Sequence, residues 1–152
     1  MGATFDEEKN AAWRSFLEVH STVLRAMERE LQEGQGLLLT WYDVLVHLSE
    51  APGDRLPHQV LADSILLSRS GVTRLVDRMV VAGLVRREPC PEDRRVSYVA
   101  MTEAGAAALH RSGPDHFRSV RQHFTRHLNP EDLPVLESFF ARVLQAAEDT
   151  QR

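Results

Sequence analysis

The chain has one cysteine, one lysine and no long apolar run. A single thiol, Cys90, leaves no intrachain disulfide framework, and such sparing use of cysteine fits a reducing cytoplasm. No stretch approaches the roughly 18 apolar residues that a bilayer-crossing helix needs. The first residues, MGATFDEEKN, are acidic and lack the basic-then-apolar order of a signal peptide. A cytoplasmic protein away from the membrane is expected. Catalytic motifs are missing as well: there is no nucleophile elbow, glycine-rich phosphate loop or metalloprotease helix. Neither an enzyme nor a cofactor is expected. Internal repeats and low-complexity segments are lacking too.

What is present is a globular composition, 152 residues of which 43% are apolar, enough for a single domain spanning 1–152. Positive charge is almost all arginine, and it is unevenly placed. Residues 68–95 hold seven arginines against four acids, so this segment carries +3 within a chain of net charge −4. A basic patch on an acidic body is the electrostatic footprint of a phosphate-binding face.

The patch begins with a predicted helix from Ser68 to Gly83. Val72, Leu75, Val76, Met79 and Val80 fall at helical spacing on one face. Arg69, Ser70, Thr73, Arg74, Asp77 and Arg78 occupy the other. Ser68 is placed to cap the start and Gly83 to end the helix in a left-handed conformation. Arginines and hydroxyls in such a row suit phosphate oxygens and guanine edges in a major groove.

The flanking chain supports that assignment. A long amphipathic helix spans about Asp6 to Glu33 and stops at Gly34 and Gly36. Thr40 is expected to cap a second helix over Trp41 to Ser49. A short third helix runs from about Pro57 to Ser64, with proline at its first position. After Gly83 the apolar period changes from 3.6 to 2, giving one strand over Leu84 to Glu88 and another over Val96 to Met101. Between them lies a charged, proline-rich loop. A hairpin directly after a recognition helix is a wing, here tipped by Asp93, Arg94 and Arg95. Thr102 should cap a further helix, which Ser112-Gly113-Pro114 is expected to kink or restart. Asn129-Pro130-Glu131-Asp132 marks the start of a last helix. The first and last helices carry more apolar surface than one winged module can cover, which points to a helical dimer interface.

This order of elements, with Ser68-Arg69-Ser70, Thr73-Arg74-Leu75, Gly83-Leu84-Val85 and Asp93-Arg94-Arg95 leading to Thr102-Glu103-Ala104-Gly105, resembles the MarR family of bacterial transcription regulators. The resemblance implies a mainly α fold with a small β-wing. Residues 37–105 would form a winged helix-turn-helix lobe that binds DNA, and residues 1–36 and 114–152 dimerisation helices. It implies a homodimer that reads an inverted repeat in double-stranded DNA. Ser68, Arg69, Ser70, Thr73, Arg74 and Arg78 would lie in the major groove. Arg95 would enter the minor groove, oriented by Asp93, while Arg94 would contact phosphate. Many members are repressors released by a small aromatic or phenolic ligand bound between the dimer helices and the lobe. Trp13, Phe16, His20, Trp41 and Tyr42 are the candidates for such a site, with ordinary aromatic packing as the alternative.

Two other function classes remain open at this point. A helical dimer can act through protein partners without reading DNA, although the wing arginines speak against it. A metal-responsive regulator of the same fold is the other. His123 with His127, and Asp43 with His47, are i, i+4 pairs, but neither suggests a third ligand. No metal site is therefore assigned. Cys90 lies between two prolines near the wing arginines and reads as an incidental thiol or a redox-sensitive one.

Overall fold

The computed structural model describes residues 5–65, 67–90, 93 and 95–150. Helix α1 (Phe5–Gln35) is followed by α2 (Leu39–Ser49), a 3-10 turn (Pro52–Asp54), strand β1 (Arg55–Pro57) and α3 (His58–Ser64). Helix α4 (Arg69–Val81) leads into β2 (Val85–Pro89) and β3 (Ser97–Met101). Helix α5 (Glu103–His123), a 3-10 turn (Thr125–His127) and α6 (Asp132–Thr150) complete the chain. The fold is mainly helical, with a small wing and long helices at both ends. Among the described residues no helix is long and apolar enough to cross a membrane.

The core lies where α2, α3, α4 and the sheet meet. Leu45, Leu48, Leu61, Val72, Leu75 and Met79 are all but fully buried there. Four of the five residues in the predicted α4 stripe face this core; Val80, at the helix edge, is 37% exposed. The sequence signals at the ends of α4 act as expected. Ser68 Oγ accepts a hydrogen bond from the Gly71 amide at 3.1 Å, and Gly83 adopts φ +75°. The start of α5 is tied to the same corner. Thr102 Oγ1 accepts from the Gly105 amide at 3.0 Å and donates to the Gly83 carbonyl at 2.6 Å. A Cβ on Gly105 would stand 2.1 Å from the Leu84 carbonyl oxygen, so only glycine allows α5 to leave the wing this closely.

Five expectations need correction. The wing sheet has three strands in the order β1-β3-β2, both pairings antiparallel, and β1 was not foreseen. Pro57 ends that edge strand and occupies the N-cap of α3 rather than its first turn. An edge strand tolerates proline because its outward amide has no ladder partner to lose. Thr40 does not cap α2: the cap position is Leu38, and the Glu28 carboxylate of α1 accepts the Leu39 amide at 2.7 Å instead. Gly34 does not stop α1, which runs on to Gln35 and ends at Gly36, φ +65°.

Most consequentially, Pro114 does not break α5, which is continuous from Glu103 to His123. An interior proline costs about 3 kcal/mol through a lost amide donor and a clash with the preceding turn. Here α5 buries Ala108, Ser112 and Ser119 along its length, with Pro114 itself exposed, so packing on α1 and α2 holds the helix through the proline. The last helix starts at Asp132, two residues beyond Pro130, where the Asp132 carboxylate accepts the Asn129 amide at 2.8 Å.

Candidate nucleic-acid interface

Burial of one face of α4 forces the other outward. Arg69, Ser70, Thr73, Arg74, Asp77 and Arg78 are all exposed. The Arg74 and Arg78 guanidinium groups have no hydrogen-bond or ion-pair partner among the described residues. Arg69 lies 3.7 Å from Asp63 with both side chains largely in water, a pair of little energetic weight. Ser68 and Ser70 bring their hydroxyls within 3.3 Å at the start of the helix. The row of cations is therefore available to an incoming anion.

The wing turn is closed by backbone bonds from Val96 N–H to the Asp93 carbonyl at 2.9 Å and from Cys90 N–H to the Val96 carbonyl at 3.0 Å. Asp93 Oδ1 accepts both the Arg95 amide at 2.9 Å and the Arg95 Nε at 3.2 Å. These two bonds, backbone first, hold the Asp93 carboxyl below its ordinary range. Arg95 is nevertheless 91% exposed. Its base is fixed and its charge projects into solvent. Arg94, with Pro91 and Glu92, lies outside the described residues. Cys90 is free and half-buried.

Between α4 and the wing runs a groove, bearing charged groups, that reasoning from sequence missed. His58, Gln59, Thr73, Asp77, Arg87 and Arg95 line it. Arg87 donates to Asp77 at 2.8 Å and approaches His58 Nδ1 at 3.4 Å, while His58 Nε2 lies 3.2 Å from Thr73 Oγ1. Arg87 had entered only the charge count, and His58 carried no signal, since its partners are brought to it by the fold. On the far side of the wing, Glu88 accepts from Arg55 at 3.1 Å and from Arg86 at 2.8 Å, which together hold its carboxyl low.

The aromatic candidates divide into two places. Trp13, Phe16 and His20 stack in succession along α1, with ring centroids 5.7 and 6.0 Å apart. Phe16 and His20 line an apolar groove with Val23, Phe124 and Phe140, which does not include Trp41 or Tyr42. Tyr42 is buried and stacks on His116 at 4.3 Å, while Trp41 packs at the edge of the lobe core. The five residues do not converge in one cavity of the single chain. Trp41 Nε1 and His116 Nδ1 are buried without a hydrogen-bond partner among the described residues. Burial holds the His116 imidazole below its usual value. His123, half of one histidine pair, is engaged by Glu30 at 2.6 Å. Among the described residues no group of three or more potential ligands could hold a metal ion.

The same arrangement occurs in known proteins. The crystal structure of AbsC, a MarR family transcriptional regulator from Streptomyces coelicolor, is similar with a TM-score of 0.87 and 36% identity, covering 98% of this chain and 99% of that one. The chain belongs to the MarR family. A family model described as MarR family matches residues 35–96, the segment from the end of α1 to the wing. Sco3205, another MarR family transcriptional regulator from Streptomyces coelicolor, solved in complex with DNA, is 32% identical with a TM-score of 0.87 over 96% of this chain and 91% of that one. The regulator MhqR of Bacillus subtilis is 32% identical over 91 residues, 60% of this chain and 61% of MhqR. The chain thus matches somewhat under two thirds of that relative's length. MarR family proteins are transcriptional regulators, and this member is not an enzyme.

Proposed function

We propose that the protein is a cytoplasmic homodimeric repressor that binds an inverted repeat in double-stranded DNA and is released by a small aromatic or phenolic ligand. The observation that carries DNA binding is Arg95, 91% exposed at the wing with its base held by Asp93, beside a helix whose Arg74 and Arg78 are unpaired among the described residues. Helix α4 enters the major groove, where Ser68, Arg69, Ser70, Thr73, Arg74 and Arg78 meet base edges and phosphates. Arg95 enters the adjacent minor groove, whose negative potential attracts a guanidinium. Arg94 contacts phosphate. That Sco3205 was solved in complex with DNA supports the assignment.

Dimerisation is supported by α6, which buries none of its residues within the single chain. Leu133, Phe139, Phe140, Val143 and Leu144 all lie exposed on it. The ligand site takes Trp41 and Tyr42 from the lobe, where Trp41 Nε1 and, from α5, His116 Nδ1, both without a partner among the described residues, can bond a polar substituent. Phe16 and His20 supply the apolar groove of the stem, with Trp13 stacked on Phe16. A ligand preferring one conformation by about 1–3 kcal/mol is enough to switch DNA affinity.

Footprinting and binding isotherms on the DNA flanking the protein's own gene, over a salt series, test the central claim. The expected result is an inverted-repeat footprint, a steep negative salt slope, and a loss of about 10–100-fold in the Arg95→Ala variant with its unfolding midpoint unchanged. Equal affinity for random duplex and an indifferent Arg95→Ala variant would overturn it.

A further inference from the structure

The groove between α4 and the wing has a chemistry of its own. Arg87 and Arg95 bring two permanent positive charges to its walls; Asp77, the one carboxylate among the described lining residues, is bound to Arg87, and Asp93 beside the groove holds the base of the exposed Arg95. Hydroxyls of Thr73 and Ser97 and the amide of Gln59 add polar groups to the lining, and Pro57 and Val96 give it apolar surface. His58 stands in the middle. Arginine can only donate, so the Arg87 approach at 3.4 Å requires His58 Nδ1 to be unprotonated. The proton of the neutral ring is then on Nε2, which donates to Thr73 Oγ1 at 3.2 Å, and the Thr73 hydroxyl donates onward to the Arg69 carbonyl at 3.1 Å. In the free protein, burial first, then Arg87, lowers the proton affinity of this ring, and Asp77 only partly opposes them.

A strand of DNA laid against α4 and the wing must pass its backbone between the major and minor grooves, over this gap. We propose that the groove seats a DNA backbone phosphate and that His58 takes up a proton when it does. The phosphodiester brings a negative charge that competes with Asp77 for Arg87 and meets the exposed end of Arg95. It draws Arg87 away from Nδ1, which leaves that lone pair free to accept a proton from solvent, and the imidazolium then donates to the phosphate. Charge complementarity favours a phosphodiester, because two arginines face the groove and Asp77, the one carboxylate among its described lining residues, is already bound to Arg87. The proposal rests on DNA binding as the function, and adds a residue, a ligand atom class and a proton to it.

Linkage converts this into a measurable slope. Each proton taken up on binding raises affinity by up to about tenfold per unit fall in pH. Phosphate contact is independent of sequence, so a short mixed-sequence duplex is a sufficient probe. Fluorescence anisotropy with that duplex at constant ionic strength, between about pH 6 and pH 8, spans the histidine range. Wild type is expected to tighten as pH falls. His58→Gln, which keeps hydrogen-bonding groups but cannot titrate, is expected to lose most of that dependence, and His123→Gln in the stem to retain it. In the NMR titration of the wild-type His58 ring, added duplex should move the midpoint upward. That second measurement needs no variant to fold. If His58→Gln keeps the wild-type slope, or the ring midpoint does not move when duplex binds, the proton-linked seat is wrong while DNA binding stands. If wild type binds no duplex at any pH, both fall together.

Discussion

The winged lobe and the helical stem bury very different shares of what their sequences offer. In the lobe, Val44, Leu45, Leu48, Leu61, Val72 and Val76 have no exposed surface at all. In the stem, α6 has no fully buried residue, and Leu144 and Phe139 are 64% and 47% exposed. Helix α1 spans the difference: Met27 and Leu31 near its end are buried, while Trp13 near its start is 58% exposed. Helices of both regions are amphipathic to a similar eye. A periodic stripe therefore says that a face is apolar, not what covers it. The lobe is complete in one chain, and the stem leaves an apolar face uncovered in it.

The largest effect that tests this contrast comes from opening the lobe core. Leu75 is 1% exposed and packed among α2, α3 and the sheet, so Leu75→Ala should cost about 2–5 kcal/mol of unfolding free energy in urea titration. Val143→Asp with Leu144→Asp attacks the other region. Both residues are more than half exposed in the single chain, so for a monomer the change would be nearly silent. Against a partner helix, two unpaired carboxylates should weaken self-association by at least about 100-fold in sedimentation equilibrium. Amide exchange in the lobe, at Val72 and Val76, should stay slow while the dimer is lost. A double variant that remains dimeric would assign the exposed α6 face to something other than a second copy.

The same contrast separates what could be read in the sequence from what could not. Ser68 over Gly71, Thr102 over Gly105, and the reversed backbone at Gly83 are events within a few residues, and each is legible from local chemistry. So is the stripe of α4. What escaped is long-range. Strand β1 exists because Leu56 pairs with Val99, far along the chain, and three residues show no period of their own. Glu28 replaces Thr40 as the cap of α2 because α1 passes beside it. Pro114 stays inside a helix because two neighbouring helices grip that helix on either side of it. In the site, the Asp93–Arg95 bracket was visible at a spacing of two residues, whereas the set of His58, Thr73 and Arg87 joins three separate elements. Trp13, Phe16 and His20 share a face of α1 as their spacing implies, but spacing does not bring Trp41 or Tyr42 to them.

The smallest effect concerns the seam where the two regions join. Ser119, 4% exposed, donates its hydroxyl to Glu30 Oε2 at 2.6 Å, and His123 Nε2 lies 2.6 Å from Oε1. The Ser119 bond, then His123, hold the Glu30 carboxyl below its ordinary 4.5. A carboxyl whose folded value is depressed adds stability above the unfolded value, and that stability is lost as pH falls through the folded one. Wild type should therefore lose more thermal stability than Glu30→Gln on acidification below 4.5. The difference should be small, because Glu30 is 34% exposed and water screens it. Melting curves at a series of pH values, with the variant as reference, measure it. Parallel curves would mean that Met27 and Leu31 hold α1 to the rest of the fold by apolar contact alone. Converging curves would make the carboxylate part of the joint, and would set the boundary of the self-sufficient region at Glu30, one turn of α1 above the lobe.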